Sequence, residues 1–143
     1  MLIRLTPEKV SEYWQWIAPL AVSSIPGYTE RSDLTALLRS LLSGDMTCWI
    51  IPTENNKFKG MLITSFEINR AFDFQSLVVY SFYISSRFNV NIKELKQSLA
   101  DLQDFAKESS CKQILTYTND KKLFNIARKL GASHEFSILN WRI

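Results

Sequence analysis

The sequence predicts a mixed α/β fold of the α+β kind, a mostly antiparallel sheet with helices on both faces in the order β-α-α-β-β-β-α-β-α-β. Three observations predict it. Ser76 to Ser85 reads Ser-Leu-Val-Val-Tyr-Ser-Phe-Tyr-Ile-Ser, β-branched and aromatic on both faces, which suits a central strand covered on both sides. A polar link through Arg87 and Asn89 then leads into a run in which Ile92, Leu95, Leu99, Leu102 and Ala106 fall at helical spacing, with Lys93, Lys96, Asp101 and Lys107 on the wet face. Before the central strand, two further strand-like runs are separated by short polar turns, which is the signature of an antiparallel meander.

Each element has its own local signal. Leu2 to Leu5 is a short strand, and Thr6-Pro7 starts a helix: Thr6 caps, and Pro7 has no amide hydrogen to leave unpaired. Val10, Tyr13, Trp14 and Ile17 form the helix stripe, and Pro19 marks its expected end. Ala21 to Arg31, containing Ser23-Ser24-Ile25-Pro26-Gly27-Tyr28, has turn residues and no period, so it reads as a loop able to border a cleft. Ser32 or Asp33 then caps a second helix with Leu34, Leu37, Leu38, Leu41 and Leu42 inward, closed at Gly44. Met46 to Ile51 and Phe58 to Ile68 are strands around the turn Glu54 to Lys57, and Arg70 to Gln75 turns into the central strand. Asn91 with Glu94 three residues on forms a capping box for the long helix. Lys112 to Tyr117 is a strand parallel to the central one by helix-crossover logic. Asn119 or Asp120 caps a fourth helix with Leu123, Ile126, Ala127 and Leu130 inward, Gly131 ends it, and a last strand is expected from His134 to Trp141.

Composition narrows the function classes. At 143 residues the chain is read as one domain, residues 1–143. The net charge of +3 comes from dispersed lysines rather than a basic run, so no nucleic-acid signature is present. Cys48 and Cys111 are far apart, and His134 is the single histidine, so neither a zinc site nor a disulfide framework is indicated. No signal-peptide core and no membrane-length apolar run are found, which leads to the expectation of a cytoplasmic protein with two free thiols.

The element order, with Lys129-Leu130-Gly131-Ala132 closing the fourth helix before a last strand, resembles the GNAT acyltransferases over nearly the whole chain. In that family the loop after the central strand reads Arg/Gln-x-x-Gly-x-Gly/Ala, and its amides with the following helix N-terminus hold the pyrophosphate of acetyl-CoA. Here the matching stretch is Arg87-Phe88-Asn89-Val90-Asn91-Ile92. Arg87 fits, whereas Val90 and Ile92 stand where small residues are needed, and two side chains there are expected to fill the phosphate site. The family's general-acid Tyr would fall at Ala127, and the Asn found near the start of its fourth helix at Asp120 or Asn119. The family's Glu base has no counterpart in Leu77 to Ile84, and Glu67 on the preceding strand is the nearest substitute.

Two functional readings follow. The first expects a non-catalytic GNAT-fold structural or interaction protein without a cofactor, similar to small GNAT-like proteins of bacteriophages and so a virion or assembly component. Its interface would use Trp16, which falls off the helix stripe, and the end of the chain at Trp141, Arg142 and Ile143, for protein partners or self-association. The alternative is an acetyl-CoA-dependent N-acyltransferase with a degenerate phosphate loop. In it Arg87, Phe88, Asn89, Val90, Asn91 and Ile92 hold the cofactor, Glu67 is the base, and Tyr80, Tyr83 or Tyr117 replaces the missing acid. The bland reading of these four is a solvated carboxylate and three tyrosines packed on the sheet.

Overall fold

A computed structural model describes residues 1–25, 33–55 and 57–135 together with Ser137, Leu139, Trp141 and Ile143. Its elements are β1 (Ile3–Arg4), α1 (Pro7–Ser24), α2 (Thr35–Ser43), β2 (Met46–Pro52), β3 (Phe58–Asn69), β4 (Phe74–Ile84), α3 (Ile92–Glu108), β5 (Cys111–Thr116) and α4 (Lys121–Lys129). The sheet runs β1-β2-β3-β4-β5 in spatial order. All neighbours are antiparallel except β4 and β5, which the α3 crossover makes parallel. The expected mixed fold is therefore present through α4. Of the expected last strand, Phe136, Ile138 and Asn140 lie outside the described residues, and its described members belong to no strand.

Alternation along the strands divides the core in two. Cys48, Ile50, Met61 and Ile63 face α1 and α2, meeting Val10, Ile17, Ala21 and Leu41. Trp49, Ile51, Leu62, Leu77 and Val79 face α3, meeting Leu102 and Ala106. Period-2 side chains on strands buried from both sides force this arrangement. Among the described residues the sheet's middle strand is β3, and the run from Ser76 to Ser85 lies in its neighbour β4. Burial on both faces is what its composition encodes, and a doubly covered strand can sit at either place.

Several expected boundaries move. Pro19 lies inside α1 and does not end it. The helix continues because Ala21 is wholly buried in the core, and the Ile25 amide donates to the Ala21 carbonyl at 3.0 Å. An internal proline forfeits one hydrogen bond, which this burial offsets. The expected loop at Ala21 to Arg31 thus begins as helix, and residues 26–32 lie outside the described residues. The N-cap of α2 is Leu34, with no side-chain cap, while Asp33 Oδ1 accepts from the Thr35 amide at 2.8 Å. Only Leu41 of α2 is fully buried, and Leu42 is exposed, since a short helix on the sheet's rim turns a narrow stripe inward. Asp120, not Asn119, caps α4 by accepting from Lys122 and Leu123. Gly44 and Gly131 both take the left-handed conformation that closes α2 and α4.

The Asn91–Glu94 box is fully formed. Asn91 Oδ1 accepts from the Glu94 amide at 2.9 Å, Glu94 Oε2 accepts from the Asn91 amide at 3.1 Å, and Lys59 Nζ reaches Glu94 Oε1 at 2.8 Å. On α3, Leu95, Ser98, Leu102 and Ala106 are buried, Leu99 is half-buried and Ile92 is exposed. Leu102 is thus the anchor of the α3 face. Leu102→Ala should cost about 2 to 5 kcal/mol, read as a lowered denaturant midpoint. The Glu94 carboxyl is held below its ordinary value by the Lys59 hydrogen bond first and the Asn91 amide second. A depressed carboxyl stabilises the fold above its unfolded pKa and loses that contribution as pH falls through the folded one. Glu94→Gln should therefore be less stable than wild type near neutral pH, with the gap closing as the pH drops below 4.5.

Candidate active site

The geometry of the site comes from one interruption in the sheet. β3 pairs with β4 along its whole length to Ile84, but β5 pairs with β4 only from Gln75 to Val79. Between Ile63 and Thr64 the register shifts, because Ile63 faces Ser81 and Thr64 faces Val79. Tyr80 is the extra residue of a β-bulge, with no partner on β3, and bulges bend a strand and end its pairing. Past Val79 the strands β4 and β5 part, and the Tyr117 amide makes the last cross-strand contact, at 3.4 Å to the Val79 carbonyl.

Three of the sequence-derived candidates meet beside this fork. Val79 and Ile114 face α3, so alternation and the bulge turn Tyr80, Ser81 and Tyr117 toward the α1 face. Ser81 confirms this by sharing a 2.5 Å hydrogen bond with Ser24 of α1. The rings of Tyr80 and Tyr117 lie 6.4 Å apart. Phe66 stacks on Phe105 of α3, which turns its neighbour Glu67 to the same face as the two tyrosines. The Tyr117 phenol is raised above its ordinary value, first by burial, then by the charge of Glu67 and by Tyr80. Glu67 itself is exposed, and Tyr80 and Tyr117 are half-buried. Tyr83 is separate: it packs on the core between the sheet and α1.

The loop after β4 is not filled as its sequence implies. A pocket of about 470 Å³ lies between this loop and α4, lined by Ile84, Arg87, Val90, Leu95, Lys122 and Ile126 among others. Val90 forms part of its wall, its amide turned to the Phe88 carbonyl at 3.0 Å, and Ile92 is 48% exposed and outside the lining. Phe88 and Asn89 line the same pocket, whereas Asn91 is committed to the capping box. The amides of Ile92 and Lys93 open α3 and have no carbonyl before them in the helix. Arg87 and Lys122 supply positive charge at the rim. Space and two cations fit an anionic group such as a pyrophosphate. Lys122 escapes sequence reasoning because a helical pattern does not reveal which loop a first-turn side chain faces.

The remaining candidates carry no chemistry. Cys48 is buried, which pushes its thiol up to about 12 and leaves it inert. Cys111 is half-buried in the wall beneath α3. His134 is exposed, edge-on to Phe124 at 5.6 Å. Among the described residues no group of His, Cys, Asp and Glu could hold a metal ion, and no helix is long and apolar enough to cross a membrane. Trp16 is 53% and Trp141 80% exposed, Ile143 is exposed, and Arg142 lies outside the described residues.

No protein-family profile matches the chain, and no curated protein matches its sequence. Solved structures do match. A ribosomal-protein-alanine N-acetyltransferase from Brucella melitensis biovar Abortus 2308 aligns with a TM-score of 0.74 at 14% identity, over 100% of this chain and 99% of that one. A GNAT family acetyltransferase from Staphylococcus aureus aligns at 0.68 and 19% identity, over 100% and 98%. The aminoglycoside N-acetyltransferase AAC(6')-Iy in complex with CoA aligns at 0.72 and 12% identity, over 100% and 98%. These neighbours overturn the expectation of a non-catalytic virion or assembly protein without a cofactor, since they are acetyltransferases and one holds CoA. The physical reason for the error lies in the loop, where Ile92 points to solvent and Val90 forms a wall, so the two side chains do not plug the pocket. The chain has the fold of the GNAT acetyltransferases.

Proposed function

We propose that the protein is an N-acyltransferase taking its acyl group from a CoA thioester, acetyl-CoA in the first instance. The observation that carries this reading is the parting of β4 and β5 at the Tyr80 bulge, with Tyr117 at the fork and Glu67 on the same face. The CoA-bound structural neighbour supports it.

Each residue has a definite task in that reading. Arg87 and Lys122 hold the pyrophosphate, and the side chains of Phe88, Asn89 and Val90 shape the pocket around it. The bound thioester supplies an acyl carbon activated toward amines. The bulge at Tyr80 leaves a backbone group free of β3, so its amide can orient and polarise the acyl carbonyl. Glu67 accepts the amine's proton, directly or through a water, because only a neutral amine attacks. Tyr117, whose phenol burial raises above its ordinary value, donates to the departing sulfur as the carbon–sulfur bond breaks and the carbon–nitrogen bond forms, and it regains a proton from the attacking nitrogen. Tyr117 thereby takes the place of the phenol that the family carries at the position of Ala127.

Binding and turnover test this separately. Acetyl-CoA at 100 times its dissociation constant should stabilise the fold by about 2.7 kcal/mol and raise the melting temperature by several degrees. Arg87→Ala with Lys122→Ala should weaken binding by roughly tenfold or more, the loss expected for charge-assisted hydrogen bonds. With acetyl-CoA and a panel of primary amines, followed by thiol release, Tyr117→Phe should lower kcat by about 10² to 10⁴ with KM little changed. Tyr83→Phe should leave both constants near wild type. A titration with millimolar acetyl-CoA that shows neither heat nor a melting shift overturns the reading.

A further inference from the structure

We infer that the acyl donor carries a medium-length aliphatic chain, whose tail leaves the β4–β5 fork and lies in an apolar cavity beneath α3. The inference rests on the acyltransferase reading above and adds the class of acyl group.

The cavity has a volume of about 460 Å³, within the range of small-ligand sites. Its walls are Val79 and Phe82 of β4, Leu99 and Leu102 of α3, and Ala127 and Leu130 of α4. It begins at the fork, because Thr116, the last residue of β5, and Phe82, beyond the last β4–β5 pair, both line it. Leu95 lines both this cavity and the loop pocket, so the two spaces share a wall. A thioester seated at the fork with its pyrophosphate in the loop pocket therefore has the cavity beside its acyl carbon. An acetyl group requires no such volume. The cavity is open to solvent rather than enclosed, and its lining is mainly apolar.

Two residues on the wall point the same way. Ser98 is 7% exposed, and its hydroxyl is buried with no hydrogen-bond partner among the described residues. Buried hydroxyls are nearly always satisfied, so the contents of the cavity must bring a partner, a water beside the chain or an oxygen carried on it. At position 127 the side chain is a single methyl, which leaves the α4 wall open next to the fork. The chemistry of transfer is unchanged: Glu67 takes the proton that frees the amine, the carbon–nitrogen bond forms, the carbon–sulfur bond breaks, Tyr117 protonates the thiolate, and the nitrogen's surplus proton returns to Tyr117.

Calorimetric titration of the full chain with CoA, acetyl-CoA and octanoyl-CoA tests this. Each buried methylene adds up to about fourfold in affinity, so octanoyl-CoA should bind tenfold or more tighter than acetyl-CoA. Leu99→Phe, which fills the cavity from the half-buried edge of α3, should remove that preference and leave acetyl-CoA binding unchanged, with a melting curve to verify folding. Should that variant fail to fold, the wild-type ratio alone decides. A wild-type ratio below tenfold, with both thioesters bound, overturns this inference and leaves the acyltransferase reading standing. If none of the three ligands binds, both fall together.

Discussion

The arrangement of the site depends on where β4 loses its parallel neighbour. Along Gln75 to Val79 the strand is held on both sides, by β3 and by β5, and Leu77 and Val79 fill the half of the core beneath α3. At Tyr80 one residue too many is inserted against β3, the strand bends, and β5 no longer follows. Past Val79 the β5 side of β4 has no strand partner among the described residues. The fork also brings Tyr117, at the end of β5, beside Tyr80. The Coulombic reach of Glu67 to Tyr117 then follows from the antiparallel pairing of β3 with β4, which sets Glu67 opposite Ser76 on the same side of the sheet.

The start of α3 solves a related problem with different means from the glycine-rich loop that its place in the fold calls to mind. Glycine lets phosphate oxygens approach backbone amides, since any Cβ would stand in the way. Here Ile92 turns outward, and Val90 lies against the wall of a pocket that remains open. The capping box uses the Asn91 and Glu94 amides, while Lys59 neutralises the Glu94 carboxylate that would otherwise repel an anion. On the proposed function the side chains of Arg87 and Lys122 hold the pyrophosphate, so charge replaces part of the contact that a glycine loop makes through its backbone.

Much of this fold is written in short-range pattern. The two apolar faces of β2 and β3, the α3 stripe, the Asn91–Glu94 box and the glycines after α2 and α4 depend on neighbours in sequence, and they are legible there. Pro19 misleads because its local cost is visible in sequence while the burial of Ala21 that offsets it is not. The bulge is hidden for another reason: Val78-Val79-Tyr80-Ser81 is apolar enough on both faces that an extra residue leaves no break in the alternation. The meeting of Glu67, Tyr80 and Tyr117 requires the registers of three strands at once, so sequence supplied the residue types and only topology selected among them. Tyr83 has the same chemistry as Tyr117, and its seat in the core under α1 removes it from consideration.

Ala127 and Tyr117 are best understood together, although they lie on opposite sides of the sheet: Ala127 lines the cavity beneath α3, and Tyr117 turns to the α1 face. Ala127 lies on α4 in the lining of the cavity, along with Thr116, the residue before Tyr117. A phenol at 127 would project into that space, where it could protonate a leaving group but would also occupy the volume beside it. On the proposed function, a phenol at 117, carried on the end of β5 and turned to the α1 face, would serve the same sulfur without entering the cavity. The absence of the helix tyrosine, which in sequence reads as lost catalysis, is thus compatible with a site that keeps its acid and gains room for a larger acyl group. On that reading the two positions act on different quantities: Tyr117 on the rate of leaving-group departure, Ala127 on which thioester is held.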